Sequence, residues 1–159
     1  MEIVDVKRES CPAARLIGKS YAQGPDWGQW WSNGWFGKLE ALRSLEFNGD
    51  AYIGAVHIVD GAPEYWIGRL FPAGTRAPEG FGYVDIEPQE YAVCYLRDRE
   101  GSDGFYTMDT HNMCLNELSL RGYKRREDSW CLERYNCPRF TTPDENGDII
   151  LDYAIAIEK

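Results

Sequence analysis

The sequence predicts an α+β fold of duplicated strand–helix–strand–strand modules. A mostly antiparallel curved sheet should carry two helices on one face and a ligand cleft on the other. Three observations predict it. Eight short runs carry strand patterning, two longer runs carry helical patterning, and their order repeats once along the chain.

The opening runs of the first half are IVDV (3–6) and ARLIGKSYA (14–22), and those of the second half are YVDI (83–86) and YAVCYLRD (91–98). Each pair precedes a helical candidate and then two further strand-like runs. These are YIGAVHIV (52–59) and EYWIGRLF (64–71) in one half, WCLERYNC (130–137) and IILDYAIAI (149–157) in the other. The Pro- and Gly-rich stretch PAGTRAPEG (72–80) reads as the join. The expectation is one domain over 1–159, with an internal repeat of about 1–75 and 80–159.

The first helix is expected from about Trp27 to Leu45, with Asp26 as N-cap. Trp27, Trp31, Trp35, Leu39 and Leu42 recur on one stripe, with Trp30 at its edge. Four of the six tryptophans thus fall within ten residues. Trp31 and Trp35 are expected to pack the helix on the sheet, and Trp27 and Trp30 to line the cleft rim. The second helix should run from Asp109 or Asn112 to Arg121, stopped by Gly122, with Met108, Leu115 and Leu118 in the core.

Composition narrows the function. With 159 residues and 43% hydrophobic content the chain can build a core, and its aromatic content of 14% is high. A net charge of −9 opposes direct nucleic-acid binding and anionic membranes, and favours small cations. No apolar leader or spanning run is visible, so a cytoplasmic location is expected. The five cysteines include no C-x-x-C pair and read as reduced, mostly buried thiols. His57 and His111 sit in unrelated contexts, so neither a metal nor a cofactor is expected. His57 has no evident acid partner and reads as a surface or satisfied core residue. Nucleotide-binding loops and nucleophile elbows are absent from the sequence.

Two strands carry the candidate chemistry. In WCLERYNC, Cys131, Glu133 and Tyr135 share one face, and Trp130, Leu132 and Arg134 the other. A mid-strand glutamate either pairs with Arg134, Arg69 or a backbone donor, or serves a pocket as counter-charge or general base. In EYWIGRLF only one of Tyr65 and Trp66 can face the cleft. Gly68 beside Trp66 leaves room for a flat ligand, which favours Trp66. Tyr52 and Gly54 form a similar pair of ring and gap. The expected ligand-binding set is Glu133, Tyr135, Trp66, Tyr65, Trp27, Trp30 and Tyr52.

Taken in order, these features resemble the GyrI-like small-molecule-binding family, which also supplies the effector-binding domain of multidrug-responsive bacterial transcription activators. The early strand pair, WW-x-x-x-W-F, EYWIGRLFPAGTRAPEGF and above all WCLERYNCPRFTTPDENGDIILDY carry the resemblance over nearly the whole chain. It implies two modules about a pseudo-two-fold axis, with Glu133 on the floor of a cleft between them. In multidrug-binding relatives that position meets lipophilic cations among aromatic rings. No helix-turn-helix precedes the first strand, so a stand-alone module is expected. In some stand-alone members a pocket carboxylate and an aromatic hydroxyl hydrolyse cyclopropane-bearing, DNA-alkylating natural products. The resemblance therefore offers Glu133 and Tyr65 as catalytic residues of such a hydrolase. The first expectation is a binder of flat hydrophobic or cationic small molecules. The hydrolase is the alternative, and an acidic protein-interaction or inhibitor module the third.

Overall fold

Eight strands form one sheet in the computed structural model, which describes residues 1–59 and 61–159. They are β1 (Glu2–Cys11), β2 (Ala14–Tyr21), β3 (Tyr52–Val59), β4 (Ala62–Pro72), β5 (Gly82–Ile86), β6 (Gln89–Arg99), β7 (Cys131–Tyr135) and β8 (Asp148–Ile157). The order across the sheet is β1-β6-β8-β7-β3-β4-β2-β5, and every neighbouring pair is antiparallel. The fold is α+β, as the patterning predicts.

This order is the same from either edge once the halves are matched strand for strand. Its centre lies between β3 and β7, where Gly54 pairs with Glu133. The first strand of each half leaves its own half: β1 pairs with β6, and β5 pairs with β2. Strand patterning carries no information on this exchange.

The expected first helix, Trp27–Leu45, is instead two short helices, α1 (Trp27–Ser32) and α2 (Trp35–Glu40), followed by a 3-10 turn at Glu46–Asn48. Asp26 caps α1 as expected, its carboxylate accepting from the Gln29 N–H at 3.0 Å. The break falls at Gly34, whose φ of 64° is left-handed and ends the first turn of chain. The helix α3 (Met108–Leu120) is capped by the Thr107 hydroxyl and followed by Gly122 at a φ of 82°. Its buried side chains are Thr110, Cys114 and Leu118. Met108, expected in the core, is 70% exposed because it opens the helix at the mouth of a cavity.

The two faces of the sheet bury different things. On one face, residues from all eight strands, including Leu16, Ile53, Leu70, Ile86, Val93 and Leu132, enter a single apolar cluster. One cluster fed by every strand requires the sheet to curl around it. Register supports a crease: Gly82, Gly18 and Gly68 lie side by side on β5, β2 and β4. A Cβ on Gly68 would stand 2.1 Å from the Ile17 carbonyl oxygen, so this glycine permits close backbone approach. It leaves no room for a ligand, contrary to expectation.

The same face holds a charged tie. The buried Arg134 donates to Asp152 at 2.7 Å and to Glu9 at 3.0 Å, joining β7 to β8 and β1. Arg139 and Asn136 also bond Asp152, which is fully buried. The other face carries the helices. Trp30, Phe36 and Leu39 of α1 and α2 pack on Ile17, Ile67 and Phe71. Cys114 and Leu118 of α3 pack on Cys94, Leu96 and Ile155. Among the described residues no helix is long and apolar enough to cross a membrane.

Candidate functional site

Between the two helical groups the sheet is left uncovered, and a cavity of about 1050 Å³ opens there. It lies on the face that bears the helices, not on the opposite face as expected. The opposite face is closed by its own apolar cluster. Strand alternation builds the floor: Cys131, Glu133 and Tyr135 from β7, with Val56, Tyr65 and Tyr153 from β3, β4 and β8. Trp27 and Trp31 form one wall, and Tyr106, Met108 and His111 the other.

Glu133 is the centre of the floor. The Tyr65 hydroxyl lies 3.2 and 3.1 Å from its two oxygens, and Tyr135 also donates to it. Gly54 makes this possible, since a Cβ there would stand 2.1 Å from the Tyr65 hydroxyl oxygen. The gap beside Tyr52 is therefore filled by Tyr65. On the remaining side Tyr153 faces Glu133 across the β7–β8 ladder. Neither arginine considered as a partner reaches Glu133. Arg134 points to the opposite face, and Arg69 donates to the Gly49 carbonyl.

Electrostatics follow from this enclosure. Burial pushes the Glu133 carboxyl above its ordinary range, while hydrogen bonds from Tyr135 and Tyr65 act against that shift. No positively charged side chain among the described residues forms an ion pair with it. Burial and the adjacent carboxylate raise both Tyr65 and Tyr135 well above the ordinary phenol range. Both phenols stay protonated and can act as donors.

Five of the expected residues meet here: Glu133, Tyr135, Tyr65, Trp27 and Tyr52 all line the cavity. The Trp27 ring stands edge-on to Tyr135 at 5.0 Å, and Tyr52 stacks on Phe36 at 3.9 Å. Two residues are placed elsewhere. Trp66 lies in the cluster on the opposite face, its indole N–H donating to Glu64 at 2.6 Å. Trp30 is fully buried under the first helices, its N–H donating to the Tyr21 hydroxyl at 3.0 Å. Trp31, expected in the core, is 60% exposed and stands at the cavity wall. The helix break explains this exchange, because α1 is too short to carry one stripe from Trp27 to Leu42.

Sequence reasoning missed Trp31, Tyr106, His111, Arg125 and Tyr153 as cavity residues. Tyr153 alone had a usable signal, as an aromatic out of place in the aliphatic run IILDYAIAI. His57 lies away from the floor, its Nε2 3.1 Å from Asp128, so it has the acid partner that the sequence did not reveal.

No family model and no curated protein matches the sequence. Solved structures do. A Staphylococcus aureus MU50 protein named for bacterial transcription regulation matches with a TM-score of 0.70 at 12% identity, over 98% of this chain and 99% of that one. SAV2435 bound to tetraphenylphosphonium matches with a TM-score of 0.68 at 13% identity, over 98% and 94%. The C-terminal domain of EcmrR matches with a TM-score of 0.60 at 11% identity, over 98% of both. At these identities the likeness establishes the fold that the sequence resemblance implied, and the fold only.

Proposed function

We propose that this chain binds flat, hydrophobic cations in the cavity between its helices, with Glu133 as their counter-charge. One observation carries the reading: a carboxylate enclosed by aromatic rings is hydrogen-bonded, among the described residues, only by neutral phenols. Enclosing a charge without an opposite charge is costly, and a bound cation would recover part of that cost. Each ring face adds about 0.5–2 kcal/mol of cation–π attraction. The complex of SAV2435 with tetraphenylphosphonium supports the same reading by fold analogy. The test is titration of tetraphenylphosphonium, followed by tryptophan fluorescence. Binding that weakens about tenfold or more in Glu133→Gln is expected, as for a charge-assisted contact. No binding below millimolar concentration would sink the proposal.

The contact between Tyr65 and Glu133 favours a second reading, a hydrolase of strained electrophiles such as cyclopropanes. Glu133 would take a proton from water as it attacks ring carbon. Tyr65 would orient the substrate or donate a proton to the departing carbon, the proton taken by Glu133 restoring the balance. Product analysis separates the two readings, because a binder returns its ligand unchanged.

A further inference from the structure

The cavity has a second polar pole, which cation binding does not use. Arg125 and His111 line the wall at the Cys131 end of the floor. Arg125 sits against the Cys131 thiol and beside the His111 ring: burial raises the thiol and Arg125 opposes that, while at His111 burial and then Arg125 both favour the neutral ring. Among the described residues no carboxylate lies within 4.0 Å of its guanidinium. The nearest acidic side chain in sequence, Glu127, also lines the rim, but it is exposed.

His111 completes the pole. Its Nδ1 lies 2.6 Å from the Tyr153 hydroxyl. Burial, with Arg125 adding to it, keeps the ring neutral near pH 7. In the tautomer that accepts from Tyr153 at Nδ1, the single ring proton resides on Nε2, which is then a donor. One end of the cavity thus offers a guanidinium beside a neutral imidazole, and the floor offers a carboxylate. Cys131 and Glu133 are two residues apart on one strand face, about 7 Å along β7, so the two poles share one floor.

We infer that the preferred ligand is amphoteric: an aromatic body with a cationic group for Glu133 and an anionic group for Arg125 and His111. This rests on the proposed cation site and narrows its ligand class. A singly charged cation leaves the Arg125 guanidinium without an anionic partner among the described residues. An anionic group at that end of the ligand would meet the guanidinium with a charge-assisted, two-pronged contact.

A matched dye pair tests the inference. Rhodamine B carries a free carboxylate and a cationic xanthene; its ethyl ester keeps the cation and loses the anion. Affinities for both are measured on the intact protein, on Arg125→Gln, on Arg125→Lys and on Glu133→Gln, with thermal melts to verify folding. The expected result is acid bound at least as tightly as ester. Arg125→Gln should lower the acid-to-ester affinity ratio about tenfold, and Arg125→Lys should retain most of it. Ester bound tenfold more tightly than acid would overturn the amphoteric assignment and leave the cation site standing. A ratio untouched by Arg125→Gln would overturn the role of Arg125. Neither dye binding, or both indifferent to Glu133→Gln, would remove the cation site and the inference together.

Discussion

The Tyr65 hydroxyl lies 3.2 and 3.1 Å from the two carboxylate oxygens of Glu133, reached across the space where Gly54 has no side chain. Three strands thus set one contact: β4 supplies the phenol, β7 the carboxylate and β3 the gap. The contact depends on a missing methyl group as much as on the two partners.

Gly54→Ala is therefore the sparest way to disturb the floor. Its Cβ would stand 2.1 Å from the Tyr65 oxygen and 3.2 Å from Glu133 Oε2. The rigid Tyr65 ring must swing away, and overpacking of this kind costs about 1–3 kcal/mol. A lower melting temperature and weaker tetraphenylphosphonium binding are expected. A variant matching the parent in both would contradict the geometry.

Glu133 should make the protein less stable at neutral pH than its amide. Burial raises its folded pKa above the unfolded reference of 4.5. A raised carboxyl pKa favours folding below the unfolded value, and that advantage disappears as pH rises through the folded one. Glu133→Gln should then melt at the same temperature as the parent near about pH 4, and higher by about pH 8. Cation affinity should run the opposite way, falling as acid protonates Glu133. Melts and titrations across this range test both signs.

Fluorescence should separate the tryptophans by position. Trp27 and Trp31 line the cavity, whereas Trp30 and Trp66 are buried elsewhere. Trp31→Phe should remove much of the ligand-induced quench and leave stability nearly unchanged. Trp30→Phe should keep the quench but cost about 1–3 kcal/mol, from lost packing and the lost indole N–H bond to the Tyr21 hydroxyl. The reverse pattern would restore the single-stripe helix.

One thiol should react readily in the native protein. Cys11, Cys94, Cys114 and Cys131 are buried and unpaired, and only Cys137 is exposed. Titration with an aqueous disulfide reagent should consume one equivalent quickly and four more on denaturation. Reductant should leave the melt unchanged.

Asp152 belongs to a buried charge cluster separate from the cavity floor. It is fully buried and binds Arg134, Arg139 and Asn136. Asp152→Ala leaves Arg139 without its carboxylate and the buried Arg134 with Glu9 alone, and should cost about 3–5 kcal/mol. A shift in melting temperature much smaller than for Trp30→Phe would count against that tie.

What could be read from sequence follows the physics of period. Alternation of two reveals strands and shared faces, so Glu133 and Tyr135 fall on one face from the sequence alone. Alternation cannot say which face is which, and adjacent aromatics such as Tyr65 and Trp66 stay interchangeable. The helix failed for a different reason. A stripe assumes unbroken turns, and Gly34 resets the phase between Trp31 and Trp35. His111 and Arg125 lie outside the strands, and only the packing of α3 and the approach to β7 bring them to the cavity.

The exchange of β1 and β5 between halves has a consequence for how the chain is made. β1 ends at residue 11, yet its partner β6 begins at residue 89, so its amides lack a mate until most of the chain has left the ribosome. Such distant pairing slows folding, since ordering a long loop precedes the contact that rewards it. It also makes the repeat inseparable. A chain cut within 72–80 yields one piece with β1 stranded and another with β5 stranded, each holding the edge the other lacks. The two fragments should remain open and sticky alone, and should recover the sheet only when mixed.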